Sequence, residues 1–311
     1  MASDQILVVC PGNHATGGTE ALHAFVSELN KVGADALLWY WSARGKDPMP
    51  AEYRRYGCEY VTDMPWGYDG TVIVPEIWAN RVTEFQNCTR AIYWLGLDAY
   101  AGWHPKNRGA FLRDDEIIHI AQSEYAYDLL RKLRVSRLIK CTDTLNADFY
   151  EDYGEPDRGD EVLYNPAKAT QFMSLIVREC ENIGIRFRPI RGMARSEVID
   201  AMRHSKLYVD FGEFPGRERM PREAVLCGCV TITSKIGAAY YAEDFGHDYK
   251  FESKEGHIWA IVNCIRYALD HYDECWKDFA PFRQKLMDER DLVKLQIKAV
   301  AHEIQHYHTG I

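Results

Sequence analysis

Apolar runs of four to six residues recur along the chain, separated by polar stretches that carry glycine, proline or a helical spacing of apolar positions. The first run, Gln5–Cys10 (QILVVC), is apolar on both faces, which predicts a strand buried on both sides of a parallel sheet. The same pattern predicts strands at Ala36–Trp41, Thr71–Val74, Ala91–Leu95, Ile117–Ala121 and Arg137–Cys141. Helical spacing is clearest after the first strand, where Thr19-Glu20 opens a segment with Leu22, Phe25, Val26 and Leu29 on one side, and again at Glu124–Leu133. Alternating strands and helices imply an open parallel sheet that binds ligands at the carboxyl ends of its strands. Residues just past those ends are His14, Glu76, Asp98, Tyr100, His104 and Ser123, with Trp78, Trp94 and Trp103 nearby. His119 lies inside an apolar run and reads as a core histidine.

Thr144–Asp160 is acidic, turn-rich and poor in aliphatic residues, which predicts an interdomain linker. A second α/β pattern begins at Glu161: a strand ending in Asn165-Pro166-Ala167-Lys168, a helix at Thr170–Ile183, a strand at Arg186–Ile190 and a helix at Ser196–Arg203. Next come a strand at Leu207–Phe211, a loop, a helix opened by Pro221, and a strand at Val230–Thr233. Helices are predicted at His257–Tyr272 and Asp291–His308. A chain of 311 residues is long enough for two cores, and we expect domains at 1–155 and 156–284.

The loop between the last two strands concentrates the chemistry. It carries Gly212, Glu213, Pro215, Gly216, Arg217, Glu218 and Arg219, and the following helix starts with Pro221, Arg222 and Glu223. A glycine loop between a strand and a helix N-terminus is a common phosphate site, because free backbone N–H groups and the helix dipole favour an anion there. Arginines add bidentate hydrogen bonds. Glu223 is predicted in the first turn, where a carboxylate beside an anion site suits a neutral partner such as a ribose diol. A salt-bridged helix start is the plainer reading of the same residues. In the first half, Gly17 and Gly18 follow the first strand, where the lack of a Cβ lets backbone N–H groups approach a phosphate.

Composition narrows the picture. The net charge of −9 disfavours a nucleic-acid backbone as partner, and nine scattered cysteines read as free thiols of a reducing compartment. The start MASDQILVVC has neither the basic region nor the long apolar segment of a signal peptide, and no run is long enough to span a membrane, so a cytoplasmic protein is expected. No Asp-x-Asp pair occurs, so no metal ligand set is expected.

Pro221-Arg222-Glu223-Ala224, Cys227-Gly228-Cys229-Val230 and Gly237 together resemble the donor-domain core of GT-B glycosyltransferases, especially family 4 (group 1). The resemblance implies two Rossmann-like, doubly wound parallel-sheet domains facing a central cleft, with the C-terminal helix, from about 285 to 311, returning to the first domain. It implies a metal-independent transfer of a sugar from a nucleotide-diphosphate donor, a UDP- or GDP-sugar, with no further cofactor. By the same resemblance Glu223 binds ribose, and Lys168 binds the diphosphate with Gly17 and Gly18 opposite. Many retaining members carry a second glutamate where Pro215 stands here, and Glu213 and Glu218 flank it. Arg191 or Arg217 takes the place of an arginine those enzymes carry near the lysine. Gly216, Arg217 and Arg222 complete the expected diphosphate site, Arg217 also stabilising the leaving group. On the acceptor side the expected residues are Asp98 and His14, which bind acceptor or phosphate if the anomeric configuration is retained and supply a base if it is inverted; retention is the expectation. The acceptor itself, whether glycan, small molecule, protein or modified nucleic acid, has no signature. A sugar-nucleotide epimerase using Glu213 and Glu218, and a non-catalytic nucleotide-binding subunit, are the competing functions.

Overall fold

The computed structural model describes residues 4–41, 43, 47–100, 109–152 and 154–309; Trp103 and His104 lie outside the described residues. The chain divides into two compact units, Met1–Thr144 with Arg290–Ile311, and Leu145–Glu289.

The first unit holds β1 (Gln5–Val9), α1 (Gly17–Lys31), β2 (Asp35–Trp39), β3 (Tyr60–Val61), β4 (Thr71–Pro75), β5 (Thr89–Trp94), β6 (Ile117–Ala121), α2 (Glu124–Lys132) and β7 (Arg137–Lys140). Its seven strands lie in the order β3-β2-β1-β4-β5-β6-β7, all parallel. The direction of winding reverses between β1 and β4, which is where open α/β sheets leave a crevice at their carboxyl edge. α1 starts because Thr16 caps it: its hydroxyl accepts the Thr19 N–H, and the Thr19 side chain reaches back to the Thr16 N–H. Leu22, Phe25, Val26 and Leu29 of α1 pack with Ile6, Val8 and Leu38 on one sheet face. The other face buries Leu7, Val9, Val72, Val74 and Trp94 against Ala126 and Leu130 of α2.

The second unit holds β8 (Gly159–Tyr164), α3 (Gln171–Glu181), β9 (Phe187–Pro189), α4 (Arg195–Arg203), β10 (Ser205–Asp210), α5 (Arg219–Leu226), β11 (Val230–Ser234), β12 (Lys250–Phe251), α6 (Ile258–Asp270) and the start of α7 (Tyr272–Thr309). The five strands run parallel in the order β12-β11-β10-β8-β9. α7 is a single helix of 38 residues with Pro281 inside it, where the sequence predicted only its last half. Its residues from Arg290 belong to the first unit, where Val293, Ile297, Val300 and Ile304 join the core beside α1.

Three other expectations shift. The stretch read as a linker is packed only at its start, where Leu145 and Phe149 are buried and 147–150 forms a 3-10 turn, while Glu151, Asp152, Gly154, Glu155 and Asp157 are exposed. Two-residue strands β3 and β12 are too short to leave an apolar period in the sequence. α5 starts at Arg219, two residues before Pro221, so Glu223 stands in the second turn. Proline tolerates this position because the first-turn N–H groups have no intrahelical acceptor wherever in that turn it falls.

Candidate functional site

In the second unit the carboxyl ends of β8, β10 and β11 bring one set of loops together, and the loop 211–218 is fixed from all sides. Asp210 ends β10, and one of its carboxylate oxygens accepts the Gly212 N–H at 2.9 Å while the other accepts the Tyr208 hydroxyl at 3.2 Å. The Thr170 hydroxyl donates to the Phe211 carbonyl at 3.0 Å and the Ser234 hydroxyl to the Gly212 carbonyl at 2.9 Å. Ala238 N–H donates to the Phe214 carbonyl at 2.8 Å. The Phe214 ring is buried edge-on against Phe245, with centroids 5.2 Å apart. Gly237 has φ +53°, and a Cβ there would collide with the Phe214 carbonyl, so both the dihedral and the close approach call for glycine.

The arginines expected to face a ligand do something else. Arg222 is fully buried, and its guanidinium donates to the carbonyls of Arg217 at 2.6 Å and Glu218 at 3.2 Å, holding the loop's last turn. Arg217 is 4% exposed and pairs with Glu289 of α7 at 2.7 Å and with Asp244 at 3.5 Å. It braces the loop against α7 rather than presenting an open guanidinium. A planar fork committed to two buried carboxylates cannot also clamp a phosphate without leaving them bare. Arg219 Nε lies 3.6 Å from the Glu223 carboxylate, and both side chains are largely buried.

The open part of the site is Lys168, Glu213 and Glu218 before the start of α5. Lys168 closes the 3-10 turn Pro166–Lys168 after β8, a turn capped by the Asn165 side chain, which accepts the Ala167 N–H at 3.0 Å. Its ammonium forms an ion pair with Glu218, the residue immediately before α5. Glu213 is exposed. Gly216 is buried within the loop. Burial pushes the Asp210 carboxyl up to about 6, against the pull of the Gly212 N–H, with Glu218 raising it and Lys168 lowering it. Arg191 is exposed just past β9, on the edge strand beside β8.

The first unit's candidates occupy separate loops at the carboxyl edge of its own sheet. Gly17 and Gly18 are the first residues of α1, and both are exposed; a Cβ on Gly18 would meet nothing within 4 Å. Beside the Thr16 cap, which takes the Thr19 N–H, the exposed Gly17-Gly18 backbone lies where a helix N-terminus favours an anion. His14 is exposed in the loop before α1, and its carbonyl accepts the Thr19 hydroxyl at 2.9 Å. Asp98, exposed after β5, accepts the Tyr125 hydroxyl at 2.8 Å. His119 is buried as expected and accepts the Trp94 indole N–H at 3.1 Å; burial holds its pKa down at about 4.

Sequence reasoning noted Glu76 only by its place after a strand. Its carboxylate is buried at the end of β4, accepts the Leu95 N–H at 3.1 Å, and burial raises it to about 7 although backbone N–H groups of Glu76, Leu95 and Gly96 favour ionisation. Asp244 and Glu289, the partners of Arg217, were missed altogether, because nothing local links residues 27 and 72 positions further along the chain to it. All nine cysteines are unpaired, and burial raises the thiol of Cys227 to about 12, which leaves it unreactive. Among the described residues no group of three or more His, Cys, Asp and Glu is placed to hold a metal ion, and no helix is long and apolar enough to cross a membrane.

No protein-family profile and no curated protein matches this sequence. Its architecture, however, is shared with solved glycosyltransferase structures over nearly the whole chain. The sucrose-phosphate synthase from Thermosynechococcus elongatus aligns with TM-score 0.70 at 12% identity, covering 97% of this chain and 99% of that one. The pneumococcal O-GlcNAc transferase GtfA, in complex with UDP and GlcNAc, aligns with TM-score 0.69 at 9% identity over 97% of this chain and 99% of its own. HepE from Anabaena, in complex with UDP, aligns with TM-score 0.64 at 12% identity over 99% of this chain and 100% of its own. The fold is therefore the two-sheet α/β fold of GT-B glycosyltransferases.

Proposed function

We propose that this chain is a glycosyltransferase of the family 4 type that moves a sugar from a UDP-sugar to an acceptor hydroxyl without a metal ion and with retention of the anomeric configuration. The observation that carries the reading is the braced loop 211–218, which holds Lys168, the N-terminus of α5 and Glu223 at the carboxyl edge of the second sheet, in a fold shared with UDP-bound proteins.

Breaking the bond between sugar and diphosphate leaves negative charge on the departing oxygen, and catalysis needs positive groups fixed in place before that charge develops. Lys168, the first-turn N–H groups of α5 and, from the next strand end, Arg191 serve this purpose. Arg217 and Arg222 act one step back, keeping the loop in register. Glu223 binds the ribose hydroxyls, with Arg219 at 3.6 Å fixing its carboxylate. In a retaining transfer the departing phosphate takes the acceptor's proton, so His14 and Asp98 bind acceptor or phosphate instead of acting as bases. An epimerase would need two free carboxylates at one anomeric carbon. Glu218 is tied to Lys168 and Glu213 is exposed, so this pair is not assembled.

Calorimetry with UDP tests the site directly. Glu223→Ala is expected to lose on the order of 1.5–3 kcal/mol of affinity for each charge-assisted hydrogen bond removed. Unchanged affinity would remove Glu223 from the ribose role. Turnover of a panel of UDP-sugars in EDTA then separates a metal-free enzyme, which stays active, from a binding subunit, which never turns over.

A further inference from the structure

The lysine assigned to the donor diphosphate already holds an anion supplied by the protein itself. Lys168 Nζ is paired with the Glu218 carboxylate; the lysine side chain is 44% exposed and the glutamate 17%. Glu218 stands immediately before the first residue of α5, and its side chain caps none of the helix N–H groups. Its backbone carbonyl, by contrast, is held by Arg222 at 3.2 Å, so the residue is fixed at its main chain and free to move at its carboxylate. A negative group placed between a lysine and a helix N-terminus occupies the position a phosphate would take. Asp210, buried behind the pair, is charge-coupled to both partners.

We infer that Glu218 is a built-in competitor for the diphosphate: its carboxylate rests on Lys168 in the empty protein and must be displaced before a nucleoside diphosphate can use that lysine. This rests on the reading of Lys168 as a diphosphate ligand. The device limits affinity in a defined way. Binding breaks one exposed ion pair and brings a diphosphate close to a carboxylate, so both the lost attraction and the new repulsion weaken the complex. It also keeps the lysine neutralised, so that a weakly charged anion gains little by entering.

The test is a double-mutant cycle on the full chain, with UDP and inorganic pyrophosphate as probes in calorimetry. Glu218→Gln is expected to bind UDP about tenfold more tightly than the wild type, because the amide keeps the shape and loses the charge. In a Lys168→Gln background the same change is expected to give less than a twofold gain, since there is no lysine left to compete for. Equal or weaker UDP binding by Glu218→Gln, or a tenfold gain that persists without the lysine, would overturn the inference while leaving the diphosphate site standing. No binding of either probe by any form would remove the diphosphate reading, and the competitor with it.

Discussion

Two sites, one in each unit, treat buried negative charge in opposite ways. In the second unit Asp244 and Glu289, 1% and 6% exposed, share the guanidinium of Arg217. In the first unit Glu76, 7% exposed, has only backbone N–H groups, and among the described residues no cation pairs with it. A buried carboxylate that meets a cation stays ionised and ties elements together, whereas one that meets only amides keeps its proton to higher pH. The second unit has used its charges to make one loop rigid. The first unit leaves His14 and Asp98 exposed outside its α-helices and strands, and Gly17 and Gly18 exposed at the start of α1.

The comparison breaks most visibly at Arg217. Arg217→Met removes a cation that pairs with two buried carboxylates, and a loss of about 3–5 kcal/mol in unfolding free energy is expected by chemical denaturation at neutral pH. A loss below about 1 kcal/mol would mean that the brace does not hold the loop.

Glu76 sharpens the other side of the contrast. Its pKa is about 7 in the folded chain against an ordinary 4.5, so the folded state binds more protons between those values. Its contribution to stability is therefore full below about pH 4.5 and is lost as pH rises through about 7. Glu76→Gln lacks this dependence. Relative to the wild type it is expected to gain up to about 3 kcal/mol of stability between pH 4.5 and pH 8. Parallel stability curves for the two proteins across that range would show that Glu76 does not titrate this way.

The smallest effects are expected at the open loops. Asp98→Asn and His14→Ala are each predicted to reduce turnover less than tenfold, with the product anomer unchanged by NMR. A loss of a hundredfold or more together with an inverted product would make that residue a general base and end the retaining assignment.

Local pattern sufficed for the elements whose residues are buried on both faces. QILVVC, IIHIA and the apolar side of α1 have a period or a run that only one kind of element can satisfy, and the structure has them where the pattern puts them. Gly17 and Gly18, expected in the loop before a helix opened by Thr19-Glu20, are instead the first residues of α1. Pattern failed where burial comes from far away. The start of the acidic stretch after Thr144 is packed because Leu145 and Phe149 are buried, and α7 runs through Pro281 because its flanks are buried at Phe279 and Phe282.

The same division holds for the candidate site. The sequence by itself determined that a strand, a glycine-bearing loop and a helix start follow one another with Glu218, Arg222 and Glu223 in reach of each other, since those are facts of neighbouring positions; Lys168 entered only through the family resemblance. Which of those charges remain available was decided by tertiary structure. Arg217 is spent on Glu289 and Asp244, Arg222 on the carbonyls of its own loop, and Lys168 on Glu218. An ion pair depends on where two side chains meet in space, and its strength on how much water surrounds them, and neither quantity is carried by the order of residues along the chain.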